Sequence, residues 1–293
     1  MSRIMSPTVP TALRATYDQL ATTSPAVARR YVEVATVVQP AFTPAEFAIW
    51  TQHCLQLAQS GWRAWESVDA FLQLSPFLQQ RLGTDDIWTW AEHGVALARY
   101  SAEVATAFFH AAKPLLQEAS HTVFAPWVAG SRAYLEPPPL LALAAEYFRL
   151  SPYIYGHYAL LIATRWGQLG ADFARAGVSY GQRFFLLSRT HLDRTPEIDH
   201  ASAWTFAQHC LPQAPVVALD YLERYAALFH HLGPASMVKV EAILRDVLAP
   251  VPDDARTFLR LVGSTLAFMP MTEQLQALTW CQEVAAVGAS GIL

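Results

Sequence analysis

The sequence predicts an all-α protein: an α-solenoid of about seven two-helix repeats, HEAT/TPR-like, with a period of about 38 residues. Two columns of residues and the turn chemistry between them carry this expectation. The first column is a stripe at positions i, i+3, i+4, i+7 reading small or medium, aromatic, large, small, the spacing of one helix face. It occurs at Ala28-Tyr31-Val32-Ala35 and at Val68-Phe71-Leu72-Ser75, then at Ala105, Ala144, Gly181, Ala218 and Ala255 with their partners, in steps of 37 to 40 residues. The second column lies one helix earlier: Cys54, Gly94, Gly130, Gly170 and Cys210. Small residues there let two helices approach closely. Alternating apolar and polar runs of the kind that make strands are absent.

The elements follow in chain order. Residues 11–42 form an N-terminal repeat, whose second helix opens at Ser24-Pro25. Residues 43–268 hold the further repeats. Thr43-Pro44-Ala45-Glu46 is a capping box with proline at the first helical position, and it starts the second repeat. Ser75-Pro76, Ser151-Pro152 and Gly233-Pro234 also pair a capping residue with proline, and are expected to mark helix starts. Gly61, Gly83 and Gly233 fall where helices are expected to end. An aromatic precedes the small column by four residues at Trp50, Trp90, Trp166 and Phe206, while Pro126 interrupts the copy before Gly130. Glu136-Pro137-Pro138-Pro139 separates the two helices of the fourth repeat, and Tyr225 breaks the last position of the sixth stripe. Residues 269–293 supply a C-terminal capping helix over 272–287. The whole chain, 1–293, is thus expected to be a single α-solenoid domain.

Composition narrows the function classes. Hydrophobic residues make up 53% and charged residues 15%, which is the make-up of an ordered chain with a substantial core. The net charge is −4 without runs of like charge, so nucleic acid is not an expected partner. No stretch is long and apolar enough to span a bilayer, and the N-terminus lacks the apolar core of a signal peptide. With three cysteines and no secretion signal, a cytoplasmic protein with free thiols is expected.

Several motifs invite a chemical reading and a structural one. The triplet Gln-His-Cys occurs at 52–54 and again at 208–210, and His53, His93 and His209 share one place in the repeat. Adjacent His and Cys on a helix point about 100° apart and make a poor ligand pair, so packing is the stronger reading. Gly177-Val178-Ser179-Tyr180-Gly181 matches the nucleophile elbow G-x-S-x-G, which needs a strand before the serine. Here helical segments lie on both sides, so Ser179 is expected to cap a helix. His230-His231 precedes Gly233 at a helix end, where polar residues suit the dipole. Asp85-Asp86 and Asp253-Asp254 open helices, where carboxylates belong. No catalytic residue, metal site or cofactor is assigned. The aromatics exceed what the stripes require. Trp62, Trp88, Tyr153 and Tyr155, with Arg149 and Arg132 as polar anchors, are the expected partner-binding residues, since Trp, Tyr and Arg dominate interface hot spots.

The pattern W-x-x-H-C-x-x-L-A … F-L-x-L-S-P-F-L runs from Trp50 to Leu78, with an echo from Tyr147 to Ile154. It resembles the helical-repeat region that precedes the von Willebrand factor A domain in bacterial proteins of the nitric-oxide-reductase-activation and rubisco-activation type. Resemblance covers roughly residues 45–235. It implies an adaptor working beside a MoxR-type AAA+ ATPase or a protein carrying that domain. The domain's D-x-S-x-S motif does not occur here, so no functional residue carries over. The expected function is a non-enzymatic scaffold or adaptor within a larger assembly. The alternative is a helical protein, or enzyme, that holds an apolar small molecule in an aromatic-lined groove.

Overall fold

The computed structural model describes residues 9–82, 84–119, 121–194, 198, 200–245 and 252–286. Among them there is no strand, and the protein is all-helical. The chain divides into two compact units, residues 1–159 and 160–293.

The first unit contains α1 (Thr11–Thr23), α2 (Pro25–Val38), α3 (Pro44–Ala58), α4 (Ala64–Leu82), α5 (Thr84–Ala98), α6 (Ala102–Glu118), α7 (Phe124–Leu135) and α8 (Leu141–His157). Helices adjacent in sequence pair as α1 with α2, α3 with α4, α5 with α6 and α7 with α8. The second members then pack on one another in order, α2 on α4, α4 on α6 and α6 on α8. Local chemistry places several helix starts. The Ser24 hydroxyl accepts from Val27 N–H at 3.4 Å, with Pro25 at the first helical position. Thr43 and Glu46 satisfy each other's backbone N–H groups at 2.7 and 3.3 Å, closing the capping box. Ser101 caps α6 by accepting from Glu103 N–H at 3.2 Å.

The aromatic stripe is the core of this unit. Phe71, Phe108 and Tyr147 are fully buried, and Tyr31 nearly so. The small column does what its size suggests. A Cβ added to Gly94 would lie 1.9 Å from the Phe109 ring, and one added to Gly130 would lie 2.4 Å from the Tyr147 hydroxyl. Each glycine therefore seats an aromatic of the following helix.

Two expected helix starts are not starts. Ser75-Pro76 lies inside α4 and Ser151-Pro152 inside α8. Both serines are buried and bond to tryptophan. Trp50 Nε1 donates to Ser75 Oγ at 3.0 Å, and Trp127 Nε1 to Ser151 Oγ at 2.6 Å. The serine hydroxyls donate in turn to the carbonyls of Phe71 and Phe148. A buried indole N–H needs an acceptor, and these serines supply it without adding bulk to the stripe. The aromatic thought missing at Pro126 is Trp127, one residue later.

The second unit contains α9 (Leu160–Ala176), α10 (Val178–Arg194), α11 (Ala201–Cys210), α12 (Pro215–Ile243), α13 (Pro252–Ser264) and α14 (Met271–Ala286). The Trp–Ser bond recurs here, Trp166 Nε1 donating to Ser188 Oγ at 3.0 Å. Phe184, Tyr221 and Phe258 are buried, and so is Tyr225, which stands where the five preceding stripes carry alanine or serine. The α12 helix bends at Gly233, whose φ of 72° and ψ of 169° end one helical segment before Pro234 opens the next. The expected helix end at Gly83 lies outside the described residues.

One buried glutamine anchors α14, the expected closing helix. Gln274 is 3% exposed, and the two protons of its Nε2 are shared among the carbonyls of Leu266 at 3.0 Å, Met269 at 2.9 Å and His231 at 3.3 Å. Its Oε1 accepts from Ser236 Oγ at 3.3 Å. Leucine has the same bulk and none of these bonds. Gln274→Leu is therefore expected to cost about 2 kcal/mol, the penalty for buried carbonyls left without a donor. Hydrogen exchange should show faster opening of α14, and unchanged protection there would contradict this role.

Candidate functional site

In the first unit, the solvent-facing sides of α6 and α8 enclose a groove of about 380 Å³. From α6 come Ala107, His110, Ala111, Pro114 and Glu118, and from α8 come Arg149, Pro152, Tyr153 and His157. Both sets follow helical spacing, on the face opposite the buried stripe. The groove exists because its floor is small. Alanines on α6 and prolines on both helices leave space that longer side chains would fill. Glu118 is brought against α8 by Gly156, where a Cβ would meet the Glu118 Cβ at 2.6 Å. At the other end Arg149 spans the two helices, donating to Glu103 of α6 at 2.8 Å and Glu146 of α8 at 2.6 Å. Tyr153 stacks on His157 with ring centroids 3.8 Å apart and planes within 9°, and the Nδ1 of His157 lies 2.9 Å from the Tyr153 carbonyl.

The six expected partner-binding residues all belong to this unit, but the fold does not bring them to one strip. Arg149 and Tyr153 share the groove. Tyr155 is 5% exposed and its hydroxyl lies 3.2 Å from that of Tyr147, so it is a core residue and offers no face to a partner. Trp88 is half-buried between Phe42 and His53, at ring distances of 5.4 and 6.0 Å. Arg132 is exposed in the last turn of α7; burial lowers the pKa of His93, and the Arg132 charge adds to that in a smaller measure. Trp62 projects from the turn between α3 and α4 at 89% exposure, with Trp65 at 43%. Gly61 (φ 118°) and Arg63 (φ 60°) flank that tryptophan in left-handed conformations, and Arg63 Nε donates to Glu66 at 2.8 Å. His110, Glu118 and His157 were missed by reading the sequence. They stand on the face of each helix opposite the apolar stripe, interleaved with alanines and prolines, so no continuous polar pattern marks them in the sequence.

The motifs with a chemical look resolve as follows. Ser179 is exposed in the first turn of α10, after Gly177 and the end of α9, so it has the helical flanks expected but lies within the helix. Asp253 and Asp254 occupy the first turn of α13. The side chains of Asp85 and Asp86 lie outside the described residues. His230 and His231 are exposed before the Gly233 bend. His53 is buried against Trp88, and burial lowers its pKa against the opposing charge of Glu92. His209 is exposed with its Nδ1 2.8 Å from the Thr205 carbonyl. Among the described residues no group of three or more His, Cys, Asp or Glu side chains converges as metal ligands do. Among them also, no helix is long and apolar enough to cross a membrane.

All three cysteines are free thiols. Cys54 and Cys210 are buried, and burial raises both pKa values, Cys210 to about 11. Cys281 is part-exposed. A thiol reagent at neutral pH should therefore modify Cys281 first, and the other two only as the fold opens. Equal rates for the three thiols would contradict their placement. Comparison with family models, curated proteins and solved structures finds no match to this chain.

Proposed function

We propose that this protein is a non-enzymatic scaffold or adaptor, built as an α-solenoid of seven helix pairs and a closing helix. The observation that carries the reading is the recurrent bond between a tryptophan of a first helix and a serine of the second, at Trp50–Ser75, Trp127–Ser151 and Trp166–Ser188. A repeated internal clamp, with second helices packed in chain order within the first unit, is how repeat proteins distribute stability between neighbours. Such a design leaves the solvent-facing stripes free to specialise in binding. Trp62 at its turn and the α6–α8 groove are the two features that fit this role. The resemblance of Trp50–Leu78 to adaptor repeats suggests a MoxR-type ATPase, or a protein with a von Willebrand factor A domain, as the partner class. Affinity capture with the intact chain from its native host, followed by mass spectrometry, tests the reading. Wild type should retain a partner that Trp62→Ala or Tyr153→Ala loses without a change in thermal unfolding. A measurable catalytic activity removed by Ser179→Ala, or by replacing His230 and His231, from a folded protein would overturn it.

A further inference from the structure

We propose that the α6–α8 groove takes a cationic side chain, lysine or arginine, carried on a basic segment of a partner protein. This inference rests on the adaptor reading and adds the site and the chemistry of what it binds. Charge decides the sign of the occupant. Arg149 is the cation of the groove, and two carboxylates, Glu103 and Glu146, already engage it. Lys113 of the same α6 helix turns away, its Nζ 5.7 Å from the Phe77 ring of α4. Glu118 at the far end has no ion-pair partner among the described residues. An anionic ligand would meet a guanidinium that is already neutralised and a carboxylate that repels it. A cationic ligand would find its counter-charge.

The remaining groups suit the same ligand. Pro114 has no N–H, so the His110 carbonyl lacks its helical donor. Tyr153 is held by its stack on His157 and presents aromatic surface of the kind that attracts lysine and arginine heads. Alanines and prolines on the floor match the apolar stem such side chains carry behind the charge. The volume, about 380 Å³, lies at the small end of ligand sites. It fits a side chain with its flanking backbone better than a folded surface.

The test uses a short fluorescein-labelled peptide alternating arginine with leucine and alanine, and a second peptide with glutamate in place of each arginine. Fluorescence anisotropy against the full chain should show binding of the first and none of the second. Glu118→Lys should weaken the basic peptide roughly tenfold or more, the usual consequence of reversing a charge opposite a bound cation. Tyr153→Ala should weaken it several-fold. Glu33→Lys on the exposed face of α2 changes the net charge equally and should leave affinity unchanged. Both Glu118 and Glu33 are exposed, so circular dichroism melts should match wild type. Equal loss in the Glu33 and Glu118 variants, tighter binding of the acidic peptide, or no effect of Glu118→Lys each overturns the groove assignment. The capture experiment remains a separate test: a partner retained by Glu118→Lys leaves the adaptor reading intact while removing this site.

Discussion

Phe108→Ala should lower the unfolding free energy by about 3–5 kcal/mol, the range for truncating a buried aromatic. Phe108 is fully buried and stands at the centre of the aromatic core of the first unit. Its ring centroid lies 5.1 Å from Trp127, 5.3 Å from Phe109, 5.4 Å from Phe148 and 5.7 Å from Trp90. These neighbours come from α5, α6, α7 and α8, so the cavity would open where four helices meet. Each is itself tightly packed, and little collapse into the space is expected. Urea denaturation followed by tryptophan fluorescence reads the effect. Val37→Ala, at a position 60% exposed on α2, serves as the comparison and should stay within about 0.5 kcal/mol of wild type. A loss below about 1 kcal/mol for Phe108→Ala would mean that the stripe is not the core.

Acid should destabilise the second unit through His191. Its ring stacks on His200 at 4.7 Å with planes within 7°, and the two are 7% and 1% exposed. Burial, then the charge of His200, depress the His191 pKa from 6.5 to about 4, against the opposing pull of Glu223. Between those values the unfolded chain binds a proton at this site and the folded chain does not. Stability is therefore complete above pH 6.5 and is lost as pH falls through about 4. At 1.36 kcal/mol per unit the loss is about 3 kcal/mol. Denaturation curves at neutral pH and near pH 4 should show a steeper acid loss in wild type than in His191→Leu. Parallel pH dependence in the two proteins would remove His191 from this role. Glu241, whose pKa is raised by burial, contributes with the opposite sign, and it cancels in the comparison with the variant.

The helical class, and much of the helix register, were legible in the sequence for a local reason. A helix buries one face, so residues three and four apart must agree in character, and that agreement is visible in a linear string. Phe71, Phe108, Tyr147, Phe184, Tyr221 and Phe258 were identified by that spacing, and all six are buried. Caps are equally local, which is why the Thr43–Glu46 box was readable. Ser75 and Ser151 show where such reading stops. Serine before proline is the signature of a helix start, but here each serine receives the indole N–H of a tryptophan some 25 residues earlier. The same ambiguity separated Tyr155 from Tyr153: two positions apart on one helix, they face opposite environments.

What the sequence alone determined is the set of apolar faces and the helices that bear them. Which polar faces come together was decided only by the tertiary structure. His110 and Glu118 belong to α6, Arg149, Tyr153 and His157 to α8, and solvent-facing positions obey no pattern strong enough to pair helices across such a separation. Their meeting depends on the packing of buried faces, on the Gly156 approach to Glu118, and on prolines and alanines that leave room between them. Burial writes its requirement into every turn of a helix, whereas a groove is specified only where two such helices are laid side by side.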